Sequence, residues 1–563
     1  MHIIIRDNTG DTQAAWGCPG QSVLDVLRAA GVPVLAPCSG KGTCGNCNVI
    51  VRDSRGVRSV QACRTPAEEG MVVSCDRSLP LEAETAFDSG LPPLAAEASF
   101  DSGLHQGAED ALESGLHQAP ETPFNDSLPP LAAKAALESN PASSQIQGKP
   151  SWGVAIDVGT TSLAFYLVNT ATGKVKAAKG CVNPQITFGS DVVARIDAAH
   201  DPAHFKLLCS LLRDAIEANI AALCQEAGIP PEALTEACLV GNTAMQHFAA
   251  GLDPTGLGAF PFAPASLFGK VAPLFCGGAQ TPRNAFFAPA VSAYFGGDAT
   301  AGLAATKLAT STRPCLFVDV GTNAEMAIGN KERILCCSAA AGPAFEGAGI
   351  RFGMPSLPGA ICAVAKKGAG FALTLVKEGD NRLPLGLCGS GILDAMACLR
   401  SADVLDEDGL MLDAGKLAPA YRALRSCQEG EELCYLDAAR GVFVTQADVR
   451  GFQLAKGAIR AGIEVLLERY GADFGDIGEF YLAGGFGAHL DLQSAADIGL
   501  FPAQLAHKAM ALGNAAGKGA VWALCSQAHR SFVLETAHRC EHLELSFDPL
   551  FTEAFLGALR LAP

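Results

Sequence analysis

The chain is short of positive charge. Its 563 residues include 41 lysines and arginines against 58 aspartates and glutamates, a net charge of −17. Binding a phosphate backbone needs clustered Lys and Arg, so nucleic acid is not an expected partner. Long apolar runs are missing too, and no membrane-spanning segment is expected. Met1-His2-Ile3 leads straight into a strand-like segment without a basic leader region, so no secretory signal is expected. Two nucleotide signatures are also lacking. Gly513-Asn-Ala-Ala-Gly517-Lys518-Gly519 approaches a Walker A loop but does not have the G-x4-G-K-[ST] spacing. Gly347-Ala-Gly349-Ile-Arg-Phe-Gly353 is one residue too long in its last gap for a dinucleotide fingerprint.

Cysteine, by contrast, is abundant, with 21 residues. Most are scattered singly among apolar residues, as at Leu208-Cys209 and Leu223-Cys224, and read as reduced core thiols of a cytoplasmic protein. Four stand apart. Cys38, Cys44, Cys47 and Cys63 form C-x5-C-x2-C-x15-C in a glycine-rich setting. Three thiolates on one tight loop plus one downstream suit a [2Fe–2S] cluster, and the loop glycines let backbone N–H groups turn toward cluster sulfurs. The first gap is one residue longer than in the plant-type run, and the bacterial [4Fe–4S] spacing does not fit. Cys44-x2-Cys47 would also serve structural zinc, but a zinc ribbon pairs one C-x2-C with a second and Cys63 has no such neighbour. Around the cysteines, His2–Arg6, Val49–Val51 and Met71–Val73 read as strands. A helix is expected from a capping-box start at Ser22 to a stop at Gly31. A β-grasp ferredoxin domain follows, with its cluster near the surface.

Length allows several domains at roughly 150 residues each. Three segments are expected: a ferredoxin-like domain at 1–78, an acidic low-complexity linker at 79–150, and an ATPase domain at 151–563. The linker repeats itself: Asp88-Ser-Gly-Leu-Pro-Pro-Leu-Ala-Ala96 returns as Asp126-Ser-Leu-Pro-Pro-Leu-Ala-Ala133. The copies are too short and proline-rich for a solenoid, and a flexible tether is expected.

From Trp152 the texture becomes α/β. Trp152–Asp157 reads as a buried strand running into Asp157-Val-Gly159-Thr160-Thr161. Cys315–Asp319 runs in the same way into Asp319-Val-Gly321-Thr322-Asn323. Two copies of strand, D-x-G-T turn and strand imply a duplicated fold with a ligand between the halves. Glycine N–H groups and threonine hydroxyls can donate to phosphate oxygens, while Asp157 and Asp319 can hold Mg²⁺ through water or orient an attacking water. A third element, Phe480–Ala483 leading into Gly484 and Gly485, offers backbone to an adenosine group. The trio resembles the actin-like ATPase superfamily, with its two phosphate motifs and later adenosine motif. Glycine-rich segments at Val240–His247, Ala341–Gly347 and Leu387–Gly391 are further candidates to line the cleft. Glu346 is a candidate base or water-orienting carboxylate, alternatively a solvated loop residue. His247 reads as structural and Cys388 as a core thiol.

A ferredoxin domain fused to an actin-like ATPase resembles the reductive activators of corrinoid proteins. The shared features include the four cysteines, both D-x-G-T motifs, Asn183-Pro-Gln185, Gly241-Asn-Thr243, Gly296-Gly-Asp298, Ala341–Gly347, Ala483-Gly-Gly485 and Gly513-Asn-Ala515. That resemblance implies ATP-dependent reduction of an inactive Co(II) corrinoid to Co(I). It also implies a corrinoid protein of a methyltransferase system as partner, a low-potential electron donor, and a homodimer formed through the large domain. The acidic repeats depart from the family pattern. ATP has a physical place in such a scheme. A plant-type [2Fe–2S] centre sits near about −400 mV, and each 59 mV of shortfall costs roughly a factor of ten for one electron. Three other readings remain: an activator of another low-potential metalloenzyme, a redox-sensing ATPase without electron delivery, and a small-metabolite kinase carrying a ferredoxin.

Overall fold

The computed structural model describes residues 2–6, 12–18, 20–30, 32, 34, 48–53, 56–74, 151–189, 191–274, 284–356, 358–368, 370–376, 383–428, 430–484 and 490–562. The expected tether at 79–150, together with Cys38, Cys44, Cys47 and Gly485, lies outside the described residues.

The N-terminal unit is a five-stranded sheet. Its strands are β1 (His2–Arg6), β2 (Thr12–Trp16), β3 (Asn48–Asp53), β4 (Gly56–Gln61) and β5 (Val72–Ser74), in the order β2-β1-β5-β3-β4. The central pair, β1 and β5, is parallel. Ile3 and Ile5 alternate inward from β1 and meet Val49, Val51 and Val73 in one core. The helix Val23–Ala29 closes this core with Val23, Leu24, Val26 and Leu27. It begins as the sequence predicts: Ser22 Oγ accepts from the Asp25 N–H at 3.2 Å, and Asp25 Oδ2 accepts from the Ser22 N–H at 3.0 Å.

The large unit contains two six-stranded sheets that share a five-strand plan, the sixth strand standing at opposite edges. The first comprises β6 (Trp152–Val158), β7 (Ser162–Asn169), β8 (Lys174–Val182), β9 (Leu234–Gly241), β10 (Lys270–Pro273) and β11 (Asn284–Phe287), in the order β10-β11-β9-β6-β7-β8. The second opens with β12 (Cys315–Val320), β13 (Ala324–Gly329) and β14 (Ile334–Ala339). Two three-stranded sheets follow: β15 (Ala360–Lys367), β16 (Gly370–Leu375) and β17 (Gly386–Leu387), then β18 (Arg425–Gln428), β19 (Glu431–Asp437) and β20 (Val442–Thr445). Strands β21 (Phe480–Ala483), β22 (Ala509–Gly513) and β23 (Cys540–His542) then complete the order β22-β21-β12-β13-β14-β23. In both sheets an antiparallel meander, β6-β7-β8 or β12-β13-β14, carries a parallel strand beside its first member, β9 or β21. The duplication expected from the two D-x-G-T motifs is therefore a duplication of topology.

Helices cover the outer faces. Pro202–Ala227 and Thr243–Ala250 bury Leu212, Ile216 and Phe248 against the first sheet, Gln446–Tyr470 packs on β13 and β14 of the second, and Gly389–Ser401 packs on β15 of the three-stranded sheet beside it. Between the sheets, Gly297–Ala304 and Ala515–Cys525 pack through small residues. A Cβ on Gly302 would lie 3.3 Å from the Ala515 Cβ, and one on Gly519 would run into the Ala301 carbonyl. Helix Ala515–Cys525 follows β22 of the second sheet but packs on the first, where Ala516, Ala520 and Trp522 meet Ala155 and Val240. This crossing brings the ends of β6, β12 and β21 to one cleft. Among the described residues no helix is long and apolar enough to cross a membrane.

Candidate functional site

The two D-x-G-T segments are tight turns between paired strands, the first one residue longer than the second. The Gly159 N–H donates to Ser162 O at 3.0 Å, and the Gly321 N–H donates to Asn323 O at 3.0 Å. A side chain at Gly159 would place its Cβ 2.7 Å from Ser162 O, so the turn requires glycine. Both turns open onto one cavity of about 350 Å³. Asp157, Gly159, Thr160 and Thr161 line one wall, and Asp319, Gly321, Thr322 and Asn323 line the other. Gly484 and Glu346 line the cavity as well, leaving Gly485 as the one expected cleft residue outside the described residues. Gly484 ends β21 at φ +92°, its N–H donating to Gly513 O at 3.0 Å.

Glu346 spans the cleft. Its Oε1 accepts from Thr322 Oγ1 at 2.7 Å, and its Oε2 accepts from the Thr161 hydroxyl. One carboxylate thus joins the hydroxyls of both turns. It is delivered by the short helical turn Pro343–Glu346, which is flanked by Gly342 at φ +77° and Gly347 at φ +84°.

The aspartates share a buried, acidic pocket. Burial pushes the Asp157 carboxyl up to about 6, partly offset by a hydrogen bond from Asn514 Nδ2 at 2.8 Å. Burial and then the neighbouring Asp157 charge push Asp319 up to about 7. Asp298, at the start of helix Gly297–Ala304, is pushed up to about 8 by burial and by Asp157 and Asp319. Glu325 on β13 is raised well above the usual carboxylate range by burial and then by Asp298 and Asp319. These groups resist ionising together, so a nearby cation would favour their charged forms. Among the described residues, no group of three or more His, Cys, Asp or Glu side chains is placed to hold a metal ion directly.

Sequence reasoning missed Asp298, Glu325, Asn242 and Asn514 as individual cleft residues. Asn242 caps helix Thr243–Ala250 and donates from Nδ2 to Thr160 Oγ1 at 2.9 Å. The segment Val240–His247 is thus a strand end and a helix start rather than a glycine loop. His247 is fully buried, its Nδ1 2.6 Å from Thr243 O while Nε2 accepts from the Ala265 N–H at 3.1 Å, consistent with a structural role. Cys388 is buried as expected, yet with Gly389 and Ser390 it also lines the cavity. The signal available for Asp298 and Asn514 was glycine followed by a polar residue at the start of a helix.

In the small domain, Cys63 sits half-buried on the turn Ala62–Arg64 against the domain core. It lies two residues beyond Gln61, which pairs with Asn48 at the start of β3. In sequence Cys47 immediately precedes Asn48. A ligand at this end of the sheet fits a cluster held by the loop before β3 plus one downstream thiolate.

A duplicated two-sheet fold that brings both D-x-G-T turns to one cleft, following a five-stranded domain that carries Cys63, defines a two-part protein with an actin-like, sugar-kinase-type fold. Comparison with known proteins narrows the class. Residues 9–78 match a 2Fe-2S iron–sulfur cluster binding domain, 152–311 the RACo middle region, and 313–563 the C-terminal ASKHA domain of RACo. The chain is 30% identical over 572 residues to the corrinoid activation enzyme RamQ of Eubacterium limosum, covering 95% of each. It is 28% identical over 292 residues to a [Co(II) methylated amine-specific corrinoid protein] reductase of Methanosarcina barkeri, covering 48% of this chain and 50% of that one. A solved reductive activator for a corrinoid, iron–sulfur protein superimposes with a TM-score of 0.67 at 28% identity, over 99% of this chain and 98% of that one. The chain belongs to the RACo family.

Proposed function

We propose that this protein reductively activates a corrinoid protein, using ATP to drive a one-electron reduction of cobalt from Co(II) to Co(I). The observation that carries the ATP half is the Glu346 bridge between Thr161 and Thr322, which places both D-x-G-T turns on one cavity. Full-length likeness to a corrinoid activation enzyme supports the redox half. Gly159, Thr160, Thr161, Gly321, Thr322 and Asn323 would cradle the phosphates, Gly484 and Gly485 would approach the adenosine, and Asp157 and Asp319 would hold Mg²⁺. Glu346 orients the attacking water once phosphate displaces it from the two hydroxyls. Cys38, Cys44, Cys47 and Cys63 would hold a [2Fe–2S] cluster, which would carry one electron from a low-potential donor. That electron is accepted by the corrinoid cobalt, and no bond to carbon forms or breaks in the step.

ATP can favour an uphill reduction only through a state that binds the two cobalt forms differently. Closure of the two sheets on ATP is the conformational step assigned to that role. We also assign the protein three segments with bounds at 1–78, 79–150 and 151–563, and a homodimeric, cytoplasmic form. The test is anaerobic: a chemical reductant, a Co(II) corrinoid protein and the purified protein, with the cobalt spectrum followed with and without MgATP. ATP-dependent Co(I) is the expected result. Absence of Co(I) with an authentic partner, despite an intact cluster and bound nucleotide, would overturn the reading in favour of a sensor or another target enzyme.

A further inference from the structure

Arg28 occupies the last turn of helix Val23–Ala29 in the small domain, yet it is only 8% exposed. Arginine is seldom so buried unless something covers and pairs it. Here the cover is the large domain. Arg28 Nε donates to Thr187 O at 2.8 Å, and its guanidinium stands 5.0 Å from the centroid of the Phe188 ring. A charge-assisted hydrogen bond and a cation–π contact thus seat the small domain on the turn Pro184–Phe188.

That turn is built onto the first phosphate turn. Asn183 caps it, with Oδ1 accepting from the Gln185 N–H at 3.0 Å. The same side chain donates from Nδ2 to Gly159 O at 2.9 Å, and the Asn183 N–H donates to Thr161 O at 2.8 Å. The hydroxyl of Thr161 is held in turn by Glu346. Asn183 is fully buried, so it cannot exchange these partners for water without local rearrangement. A contiguous series of bonds therefore runs from the cleft to the seat of the small domain.

We infer that the cysteine domain parks on Thr187 and Phe188 while Glu346 holds Thr161, and that nucleotide loosens this seat by drawing Thr161 away from Glu346 and shifting the turn that Asn183 supports. This inference rests on the nucleotide reading of the cleft. It supplies what that reading lacks: a way for ATP to decide when the electron carrier is free to approach a partner. Parking and nucleotide binding are then linked, and linkage is reciprocal. Weakening the seat must strengthen nucleotide binding, although Arg28 does not line the cleft.

The experiment uses the full chain with its cluster, held anaerobically. MgADP affinity is measured by calorimetry for the native protein, Arg28→Ala and Arg28→Glu, with the cluster absorption as a check that the small domain is folded. Both variants are expected to bind MgADP more tightly, by roughly five-fold or more for a coupling of ordinary size. Amide hydrogen exchange in residues 22–30 and 184–188 of the native protein is followed in parallel and is expected to speed up on adding MgADP. Unchanged or weaker binding in folded variants, or exchange that MgADP leaves unaltered or slows, would overturn the inference. If the native protein binds neither MgADP nor MgATP, it is the nucleotide reading itself that fails.

Discussion

Asn514 and Asp157 stand 357 residues apart in sequence and are hydrogen bonded, Asn514 Nδ2 to Asp157 Oδ2 at 2.8 Å. Asn514 leaves the end of β22 in the second sheet and caps helix Ala515–Cys525, its Oδ1 accepting from the Gly517 N–H at 2.6 Å. Asp157 belongs to β6 of the first sheet. One amide therefore ties the two halves together at the cleft and lowers the proton affinity of a buried carboxyl that burial alone would raise further.

The first prediction follows from that bond. Replacing Asn514 by Ala removes a hydrogen bond to a charged acceptor, worth about 1.5–3 kcal/mol. Its loss pushes the Asp157 carboxyl further up. If ionised Asp157 supports Mg²⁺, the acid limb of the ATP hydrolysis profile moves to higher pH in the variant. Loss of the helix cap costs about 1 kcal/mol of stability as well, so the thermal midpoint should be recorded alongside. A profile that keeps its acid limb in place would remove Asp157 from the metal role.

Stability should itself depend on pH with a definite sign. Asp157, Asp319 and Asp298 are raised from 3.8 to about 6, 7 and 8 in the folded protein. Folding therefore retains protons that the unfolded chain releases. Their contribution is complete below the unfolded values near 4 and is lost as pH rises through about 6 to 8. The nucleotide-free protein should accordingly melt at lower temperature at pH 8.5 than at pH 6. MgADP, whose cation compensates the exposed charge, should raise the midpoint more at the higher pH. A flat or rising midpoint without ligand would contradict the shared-pocket picture.

Much of this site was legible before the fold was. The repeated D-x-G-T at the ends of apolar strands marks a backbone-determined turn, and such turns carry their signature locally. All the described members of the expected nucleotide set line the one cavity and Cys63 stands apart in the small domain, while Gly485 and three cysteines lie outside the described residues. What escaped were residues defined by packing across the duplication. Asn514 and Asp298 reach the cleft because helices Ala515–Cys525 and Gly297–Ala304 cross between the sheets, and no local pattern encodes that crossing. In the small domain β1, β3 and β5 announced themselves by buried β-branched residues. The edge strand β2 did not, because four of its five residues, Thr12, Gln13, Ala14 and Trp16, face solvent with only Ala15 buried. The other edge strand, β4, mixes Arg58, Ser59 and Gln61 into its run and shows no apolar alternation.

Glu346 has two separable jobs in the proposed scheme, and substitution should separate them. Glu346→Ala removes the water-orienting carboxylate, lowering ATP hydrolysis by about 10²-fold or more. It also frees the Thr161 and Thr322 hydroxyls for phosphate, so nucleotide affinity should hold or improve. Steady-state hydrolysis and calorimetric affinity, measured on the same preparation, check both halves. A variant that hydrolyses ATP at the native rate would leave Glu346 as a structural bridge alone.

The two domains should fail independently. Cys63→Ala is expected to abolish the visible absorption of the cluster and Co(I) formation while leaving MgATP binding intact. Asp319→Ala is expected to do the reverse, keeping the cluster spectrum and losing ATP-dependent Co(I). Cluster absorption, nucleotide affinity and the cobalt spectrum form the measurement set. Loss of both properties in either variant, with the chain still folded, would argue against modular roles.

Gly484 offers the most local test of the cleft geometry. Its φ of +92° is a conformation that L-residues adopt at a cost of about 1–2 kcal/mol. A Cβ there would also strike the Val320 carbonyl and sit 2.9 Å from Asp319 Oδ1. Both neighbours belong to β12 as it enters the second phosphate turn, and backbone at that point cannot yield without moving the turn. Gly484→Ala should therefore weaken MgADP binding by about ten-fold or more, the equivalent of roughly 1.4 kcal/mol, and leave the cluster spectrum unchanged. Gly475 serves as the control, since a Cβ there meets nothing within 4 Å. If Gly484→Ala bound nucleotide as well as Gly475→Ala, the second turn and the end of β21 would not be acting on the same ligand, and the adenosine role given to Gly484 would fall.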